Sequence, residues 1–314
     1  MFHLPDNADR AVQENVAAGL TEDLRQLANA RASTAASGPS DGWKTLLAPV
    51  LELWKSTAVT GALSKLPAAS KDPSPMEVFF FSEATLLATL LEDLQAFFTD
   101  LGFISEGTLI PPASLREEAL EMVSGRMPNS WMDRMDGPRE SKLWISLLSR
   151  RFSTVLSYAK SSFSSATVYD LSNFLRPETF FNALRQHTAR QSKVALVDLK
   201  LVASVASASI TSDLAVSVNV SGASICIQGA LMSKDGKLSP PSFNSPSSTP
   251  IDTNLKVGWI SAEKLQSKKE GFGEIMVYGS ASREQTVFAL SVPCTPEEKL
   301  TRSLGGVACF ILAV

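Results

Sequence analysis

The spacing of apolar residues changes near residue 192, and this change limits the folds open to the protein. Before it, apolar residues recur every three or four positions, as in Leu87, Leu90 and Leu94, which predicts amphipathic helices. From Lys193 onward they alternate with polar residues, and turn-forming residues separate the short segments. We therefore predict an α+β fold, in which an N-terminal α-helical bundle is followed by a C-terminal antiparallel β-barrel or sandwich.

The length of 314 residues suggests about two domains. Residues 1–31 are predicted to contain a first helix, followed by a linker rich in Ser and Ala at Ala32–Gly42. The predicted helical bundle occupies 43–191, and the predicted β-barrel domain occupies 193–314.

Local chemistry predicts where several elements begin. Ser74–Glu77 and Ser114–Glu117 each have the residues of a capping box, in which a Ser side chain and a Glu side chain satisfy backbone N–H groups at a helix start. Pro138 and Pro177 are expected to open further helices, because proline is favoured in the first helical turn. Lys234–Lys237 predicts a tight hairpin turn, and Ser239–Pro250, with four prolines, predicts a long loop.

Charge and composition favour a soluble intracellular protein. The net charge is -3, from 29 basic and 32 acidic residues, and this balance predicts neither a nucleic-acid partner nor insertion into a membrane. The apolar stretch Val78–Leu101 is interrupted by acidic residues, and Met1–Arg10 does not have the pattern of a secretory leader. The three cysteines do not suggest a disulfide framework.

The residues needed for catalysis or metal binding do not occur in the required patterns. The sequence has no G-x-x-x-x-G-K-[ST] phosphate loop. Ser224 follows Gly222 but lacks the closing glycine of a nucleophile elbow, and His187 lies within a predicted helix. The cysteines are too scattered for a zinc site. Cys226 and Cys309 are predicted to be buried, and Cys294 is the thiol expected to be most exposed. We predict no catalytic, cofactor-binding or metal-binding residues.

Leu171–Arg190 resembles a block near the C-terminal end of dynein heavy chains, in which an aromatic–aliphatic turn is followed by Pro-Glu, an aromatic pair, Gln and Ala-Arg. Further resemblances follow in the same order along almost the whole sequence, and Met1–Asp9 is similar to the segment that closes the sixth AAA+ module. The residues that carry the resemblance are Trp131, Phe174, Pro177, Phe180, Phe181, Gln186, Arg190, Gly222, Gly229, Trp259 and Tyr278.

Within this family, Asp136–Pro138 and Leu199–Ser204 are most similar to the intraflagellar-transport type, the cytoplasmic dynein 2 heavy chain. The sequence departs from the family pattern at two places. Gln228 stands where an acidic residue is expected, and Thr301–Ser303 stand where an aromatic residue is expected.

The resemblance implies a structural and regulatory region of a minus-end-directed microtubule motor that braces the AAA+ ring in retrograde intraflagellar transport. It implies ATP only in the upstream ring. The implied partners are the ring of the same heavy chain, the dynein intermediate and light intermediate chains and, indirectly, the microtubule. The implied location is the cytoplasm, the cytoskeleton and the cilium or flagellum.

Two alternatives remain open at the level of sequence. The protein could be a free-standing, non-catalytic protein-interaction module, or a split-gene fragment of the motor. It could also be an esterase or lectin-like enzyme that uses the β-domain, in which case polar groups should converge on a pocket near Ser224 or His187.

Overall fold

The computed structural model describes residues 39–57, 61–68, 71–205, 216–240, 246–263, 272–280, 283, 285–293 and 307–311. The protein divides into two compact units, one of Met1–Gly61 with Leu90–Ser149 and one of Ala62–Thr89 with Arg150–Val314. The helix predicted at 1–31 lies outside the described residues, and the predicted domain limits at 43–191 and 193–314 stay a prediction.

Helices dominate the described residues up to Ser192, as the apolar spacing predicted. The last helix ends there because Lys193 adopts the left-handed conformation, with a φ of 53°. In sequence order the helices are α1 (Pro39–Thr57), α2 (Pro75–Ser105), α3 (Ala113–Val123), α4 (Asn129–Met132), α5 (Ser141–Lys160) and α6 (Pro177–Ser192).

The capping box at the start of α2 is confirmed. The backbone N–H of Ser74 donates to Glu77 Oε2 at 2.7 Å, and the N–H of Glu77 donates to Ser74 Oγ at 3.3 Å. Two backbone donors that α2 leaves without partners are thereby satisfied. Pro177 opens α6 in the first helical turn, which confirms that prediction as well.

Two predicted helix starts are wrong. Helix α3 begins at Ala113, with Pro112 in the N-cap position and no side-chain cap, so Ser114 already lies inside the helix. Helix α5 begins at Ser141 rather than Pro138, because Glu140 is engaged in a β-bridge with Arg126. In both cases the helix start differs by one to a few residues from the one that local capping chemistry favours.

The first unit has an aromatic core. Trp54 of α1 stacks on Phe98 of α2, with ring centroids 4.5 Å apart, and both side chains are buried. Trp144 of α5 is fully buried and its Nε1–H donates to the carbonyl of Met135 at 2.9 Å. That hydrogen bond satisfies the polar atom of a buried indole and fixes the loop before α5.

The second unit contains a nine-stranded sheet among the residues that the structure describes. In sequence order the strands of the described regions are β1 (Val168–Tyr169), β2 (Leu199–Val205), β3 (Val216–Val220), β4 (Ile225–Gln228), β5 (Leu231–Met232), β6 (Leu238–Ser239), β7 (Ser248–Pro250), β8 (Leu255–Ser261), β9 (Phe272–Tyr278), β10 (Thr286–Pro293) and β11 (Ala308–Ile311). The order across the sheet is β1-β3-β8-β2-β10-β9-β11-β4-β7, and β5 and β6 form a separate pair.

The prediction of an antiparallel barrel or sandwich is wrong in the direction of the strands. The sheet is mixed, because β1 pairs with β3, β10 with β2 and β11 with β9 in parallel. The short strands β1 and β7 stand at its two ends. Alternating burial, seen for instance in β3 and β9, reports only that one strand face is covered. It carries no information on strand direction, so the sequence could not distinguish this curled open sheet from a barrel.

The connections of the sheet were predicted in part. The turn at Lys234–Lys237 is confirmed: it joins β5 to β6, and Gly236 has a φ of 77° and donates its N–H to the carbonyl of Ser233 at 2.9 Å. The predicted long loop after it is interrupted by β7, which pairs antiparallel with β4. Among the described helices, none is both long and apolar enough to cross a bilayer.

Candidate functional site

Helix α6, which holds most of the family-like segment, packs against the sheet of the second unit. The ring of Phe181 lies 5.0 Å from the ring of Phe288 in β10, measured between centroids. Trp259 of β8 donates its indole N–H to the carbonyl of Phe181 at 3.0 Å. Two of the residues singled out from the sequence, 78 positions apart, are thus joined by a hydrogen bond between side chain and backbone.

Phe180, which precedes Phe181 in α6, packs among a set of rings that we call the aromatic cluster. Phe180 is fully buried, its ring is stacked 5.3 Å from that of Phe174, and it meets the ring of Phe79 of α2 edge-on at 5.6 Å. Such ring pairs add to the energy of burial. The aromatic cluster consists of Phe79, Phe80, Tyr158, Tyr169, Phe174 and Phe180.

Arg185 fastens the next turn of α6 to the sheet, and sequence reasoning missed it. Its guanidinium lies 5.0 Å from the centre of the Trp259 ring, and its Nε donates to the carbonyl of Leu196 at 3.0 Å. A cation over an indole face is attracted by the ring quadrupole. The available signal was the position of Arg185 one helical turn after Phe181, which places both side chains on one helix face.

Asp170 organises the entry to the segment, and it too was missed. Its Oδ1 accepts three hydrogen bonds, from the Ser172 N–H at 2.9 Å, from Ser172 Oγ at 2.6 Å and from Ser224 Oγ at 2.6 Å. Ser224 belongs to the 3-10 turn Gly222–Ser224 before β4. One carboxylate therefore ties the turn that precedes α6 to the turn between β3 and β4, and bonds to a charged acceptor are among the stronger kind.

Glu83 of α2 holds the residues directly before α6. Its side chain is 1% exposed, and its Oε2 accepts the backbone N–H of Leu175 at 2.7 Å. Arg176 Nε lies 3.5 Å from Oε1, an ion pair that lacks the alignment of a hydrogen bond. Arg176, in the N-cap position of α6, makes no side-chain cap, so a carboxylate from another helix supplies the negative charge favoured near a helix start.

Burial raises the pKa of Glu83 above its ordinary value of 4.5, and the Leu175 N–H and Arg176 only partly offset this. A carboxyl group whose pKa is raised by folding favours the folded state while protonated, and this contribution is lost as the pH rises through the folded pKa. Glu83→Gln removes the titration. We expect the unfolding free energy of the natural protein, relative to Glu83→Gln, to decrease as the pH rises above the ordinary glutamate pKa of about 4.

Urea unfolding of both proteins at several pH values measures this difference. Asp93→Asn is the matched control, because the Asp93 side chain is half exposed and pairs with Arg134 at the surface. A difference between the natural protein and Glu83→Gln that stays flat or grows with pH contradicts this assignment of Glu83.

His187 and Ser224, the residues of the enzyme alternative, have different partners. The His187 ring meets the Phe163 ring edge-on at 4.8 Å, and its Nε2 lies 3.0 Å from Gln191 Nε2. Burial, and then Arg190, lower the pKa of His187, while Glu77 raises it. Ser224 is buried and donates to Asp170. In the described part of the protein these contacts do not form a Ser–His pair, so the arrangement does not favour a hydrolase.

The two glycines singled out from the sequence lie beside β4. An added Cβ at Gly222 would lie 1.7 Å from the carbonyl oxygen of Thr253, so no side chain fits there. Gly229 has a φ of 79°, which favours glycine. Between them, Gln228, which stands where an acidic residue is expected, accepts a hydrogen bond at its Oε1 from Arg283 Nη2 at 2.6 Å.

The remaining residues of the set are spread over the molecule. Gln186 and Arg190 are exposed on α6, and Tyr278 is half-buried at the end of β9. Trp131 belongs to the other compact unit. The centroid of its buried ring lies 5.6 Å from that of the Phe97 ring and 5.2 Å from Cζ of Arg134.

The cysteines in the described residues behave as small buried side chains, as predicted. Cys226 and Cys309 lie in the neighbouring strands β4 and β11. Burial, with a smaller effect of Cys226, raises the pKa of Cys309 to about 12, and burial also raises the pKa of Cys226. Both thiols are therefore held in the unreactive protonated form. Cys294 lies outside the described residues. Within the described residues, no group of three or more His, Cys, Asp or Glu side chains could hold a metal ion.

The fold and these contacts define a structural module, in which one helix with aromatic and charged anchors joins helices to a mixed sheet. The protein belongs to the family of the C-terminal domain of dynein heavy chains, whose model matches residues 14–311. This confirms the resemblance carried by Leu171–Arg190. The matching region of a heavy chain is not itself the catalytic AAA+ domain.

The relatives found among curated proteins agree with this placement. The sequence is 28% identical over 304 residues to cytoplasmic dynein 2 heavy chain 1 of Homo sapiens and 27% identical over 302 residues to that of Mus musculus, in each case over 93% of its own length. It is 23% identical over 338 residues to that of Chlamydomonas reinhardtii, over 99% of its own length. It spans only 7% of the length of the human and mouse proteins.

Proposed function

We propose that this protein acts as the C-terminal structural and regulatory region of a minus-end-directed microtubule motor, and that it braces the AAA+ ring of its own heavy chain. The observation that carries the proposal is the extent of the match: the family's model covers residues 14–311, and relatives named cytoplasmic dynein 2 heavy chain 1 align over nearly the whole sequence.

From the similarity to cytoplasmic dynein 2 heavy chain 1 we extend the proposal to a role in retrograde intraflagellar transport. A protein with this role would work in the cytoplasm, on the cytoskeleton and in the cilium or flagellum. Its proposed partners are the AAA+ ring, where ATP is bound, the intermediate and light intermediate chains and, through the motor, the microtubule.

The contacts of α6 suit a mechanical task. Apolar rings hold one side of the helix, Trp259 and Arg185 fasten the other, and Glu83 and Asp170 fix its entry. Buried contacts of this kind make a helix–sheet junction resist deformation, because close-packed interiors transmit strain. A junction that resists deformation would suit a brace on a moving ring.

The test compares a dynein heavy chain that carries this region with the same heavy chain truncated before it. We expect the truncated motor to retain its nucleotide sites but to show an altered microtubule-stimulated ATPase rate and a changed run length. The isolated 314-residue protein should co-purify with the truncated motor and shift both quantities back. Identical ATPase rates and run lengths with and without the region would refute the bracing role.

A further inference from the structure

Five serine or threonine residues of the sequence are followed directly by proline, and three of them fall between Ser239 and Pro250. Ser-Pro and Thr-Pro are the dipeptides that proline-directed protein kinases modify. In three of the five pairs both residues are described by the structure, namely Ser74–Pro75, Ser239–Pro240 and Thr249–Pro250. The three acceptor residues differ in their exposure and in their contacts.

Ser74 and Thr249 are both engaged in structure. Ser74 is half-buried, and its Oγ accepts the N–H of Glu77 in the capping box of α2. Thr249 is half-buried in β7, where it is paired in register with Ile227 of β4. A kinase could reach the Ser74 hydroxyl only if the helix cap were broken. It could reach the Thr249 hydroxyl only if β7 were detached from the nine-stranded sheet.

Ser239 is exposed at the end of β6, one strand of the small β5–β6 hairpin. Within the described residues β6 pairs only with β5, through the register Leu231 with Ser239 and Met232 with Leu238. Its backbone is already extended, and Pro240 disfavours the helical alternative for the residue before it. An extended backbone is the conformation in which kinases bind the acceptor segment.

The hairpin is fixed at its turn, away from Ser239. An added Cβ at Gly236 would lie 2.6 Å from Val205 Cγ2 in β2, which shows how closely the turn approaches that strand. Ser239, at the other end of β6, is thus presented by an anchored hairpin. Lys237, two residues before it and exposed, offers a positive charge close to any phosphate that Ser239 would carry.

We propose that Ser239 is a phosphorylation site for a proline-directed serine/threonine kinase. The co-substrate is a nucleoside triphosphate. Ser239 Oγ attacks the γ-phosphorus and forms a P–O bond, the bond from that phosphorus to the β-phosphate oxygen breaks, and the hydroxyl proton passes to the base of the kinase. The products are a phosphomonoester on Ser239 and a nucleoside diphosphate. The ester adds close to two negative charges beside Lys237 at neutral pH.

The experiment incubates the folded 314-residue protein with a purified cyclin-dependent kinase and radiolabelled ATP, and maps the modified positions by mass spectrometry. We expect Ser239→Ala and Pro240→Ala to remove most of the incorporated label. Ser74→Ala is the matched control, since Ser74 also precedes a proline but caps a helix, and it should leave incorporation unchanged. Circular dichroism of all variants confirms that each is folded.

Three results would overturn the proposal. The first is equal incorporation into the natural protein and Ser239→Ala, and the second is label mapped only to other Ser-Pro or Thr-Pro pairs. The third is a folded protein that takes up no label while a synthetic peptide of residues 234–244 is modified, which would show that the fold hides the hydroxyl. The outcome is independent of the bracing role, since it is read from the isolated protein.

Discussion

Gly222→Ala is expected to lower the unfolding free energy of the second unit by about 3 kcal/mol or more, at the upper end of the cost of overfilling a packed site. The added Cβ would lie 1.7 Å from the carbonyl oxygen of Thr253 and 2.8 Å from that of Ile251. Both neighbours are backbone atoms, so no side chain can rotate away. Either the turn before β4 or the segment between β7 and β8 has to move.

The displacement should also affect the hydrogen bonds of neighbouring residues. Two residues later Ser224 donates to Asp170, and the N–H of Ile251 donates to the carbonyl of Ile225 at 2.9 Å. Moving the turn stretches the hydrogen bond of Ser224, and moving the segment between β7 and β8 stretches that of Ile251. A buried polar group left without its partner carries a further cost.

Urea denaturation followed by circular dichroism measures the effect, with Gly102→Ala as the matched control. Gly102 lies within α2, and an added Cβ there would meet nothing within 4 Å. Because alanine is the better helix former, Gly102→Ala should raise stability by roughly 0.5–1 kcal/mol. If Gly222→Ala unfolds at the same urea concentration as the natural protein, the close approach to Thr253 is not a constraint on the fold.

The glycine also shows where sequence reasoning stops. Gly222 could be singled out from the family pattern, but its physical reason lies in the carbonyls of Thr253 and Ile251, which are distant in the sequence. That contact depends on how β4, β7 and β8 are placed in the sheet. Register of this kind is a long-range property, whereas the alternation of apolar residues reports only which strand face is buried.

Local chemistry was informative where the partners are close in sequence. The capping box of Ser74 and Glu77 spans one helical turn, and Pro177 acts through its own ring, so both could be predicted. The anchors Glu83 and Arg185 act on partners 92 and 11 residues away. Charged residues on helices are usually solvated, so nothing near Glu83 in the sequence distinguished it, and Arg185 could be recognised only by its position one helical turn after Phe181.

Phe180→Ala is expected to destabilise the second unit by about 3–5 kcal/mol, because truncating a fully buried ring loses its transfer energy and leaves a cavity. The cavity would open in the middle of the aromatic cluster. Phe174, Phe79 and Tyr169 would each lose a ring partner at a centroid distance between 5.3 and 5.6 Å.

Phe103→Ala is the matched control for Phe180→Ala, since the Phe103 side chain is 47% exposed on α2. Much of its area already faces water, so we expect a loss of about 1 kcal/mol or less. Differential scanning calorimetry compares the two variants with the natural protein. Phe181→Ala should also be destabilising, because Phe181 packs on Phe288 and is bonded through its carbonyl to Trp259. If Phe180→Ala and Phe181→Ala both unfold at the same temperature as the natural protein, α6 is not the helix that connects the aromatic cluster to the sheet.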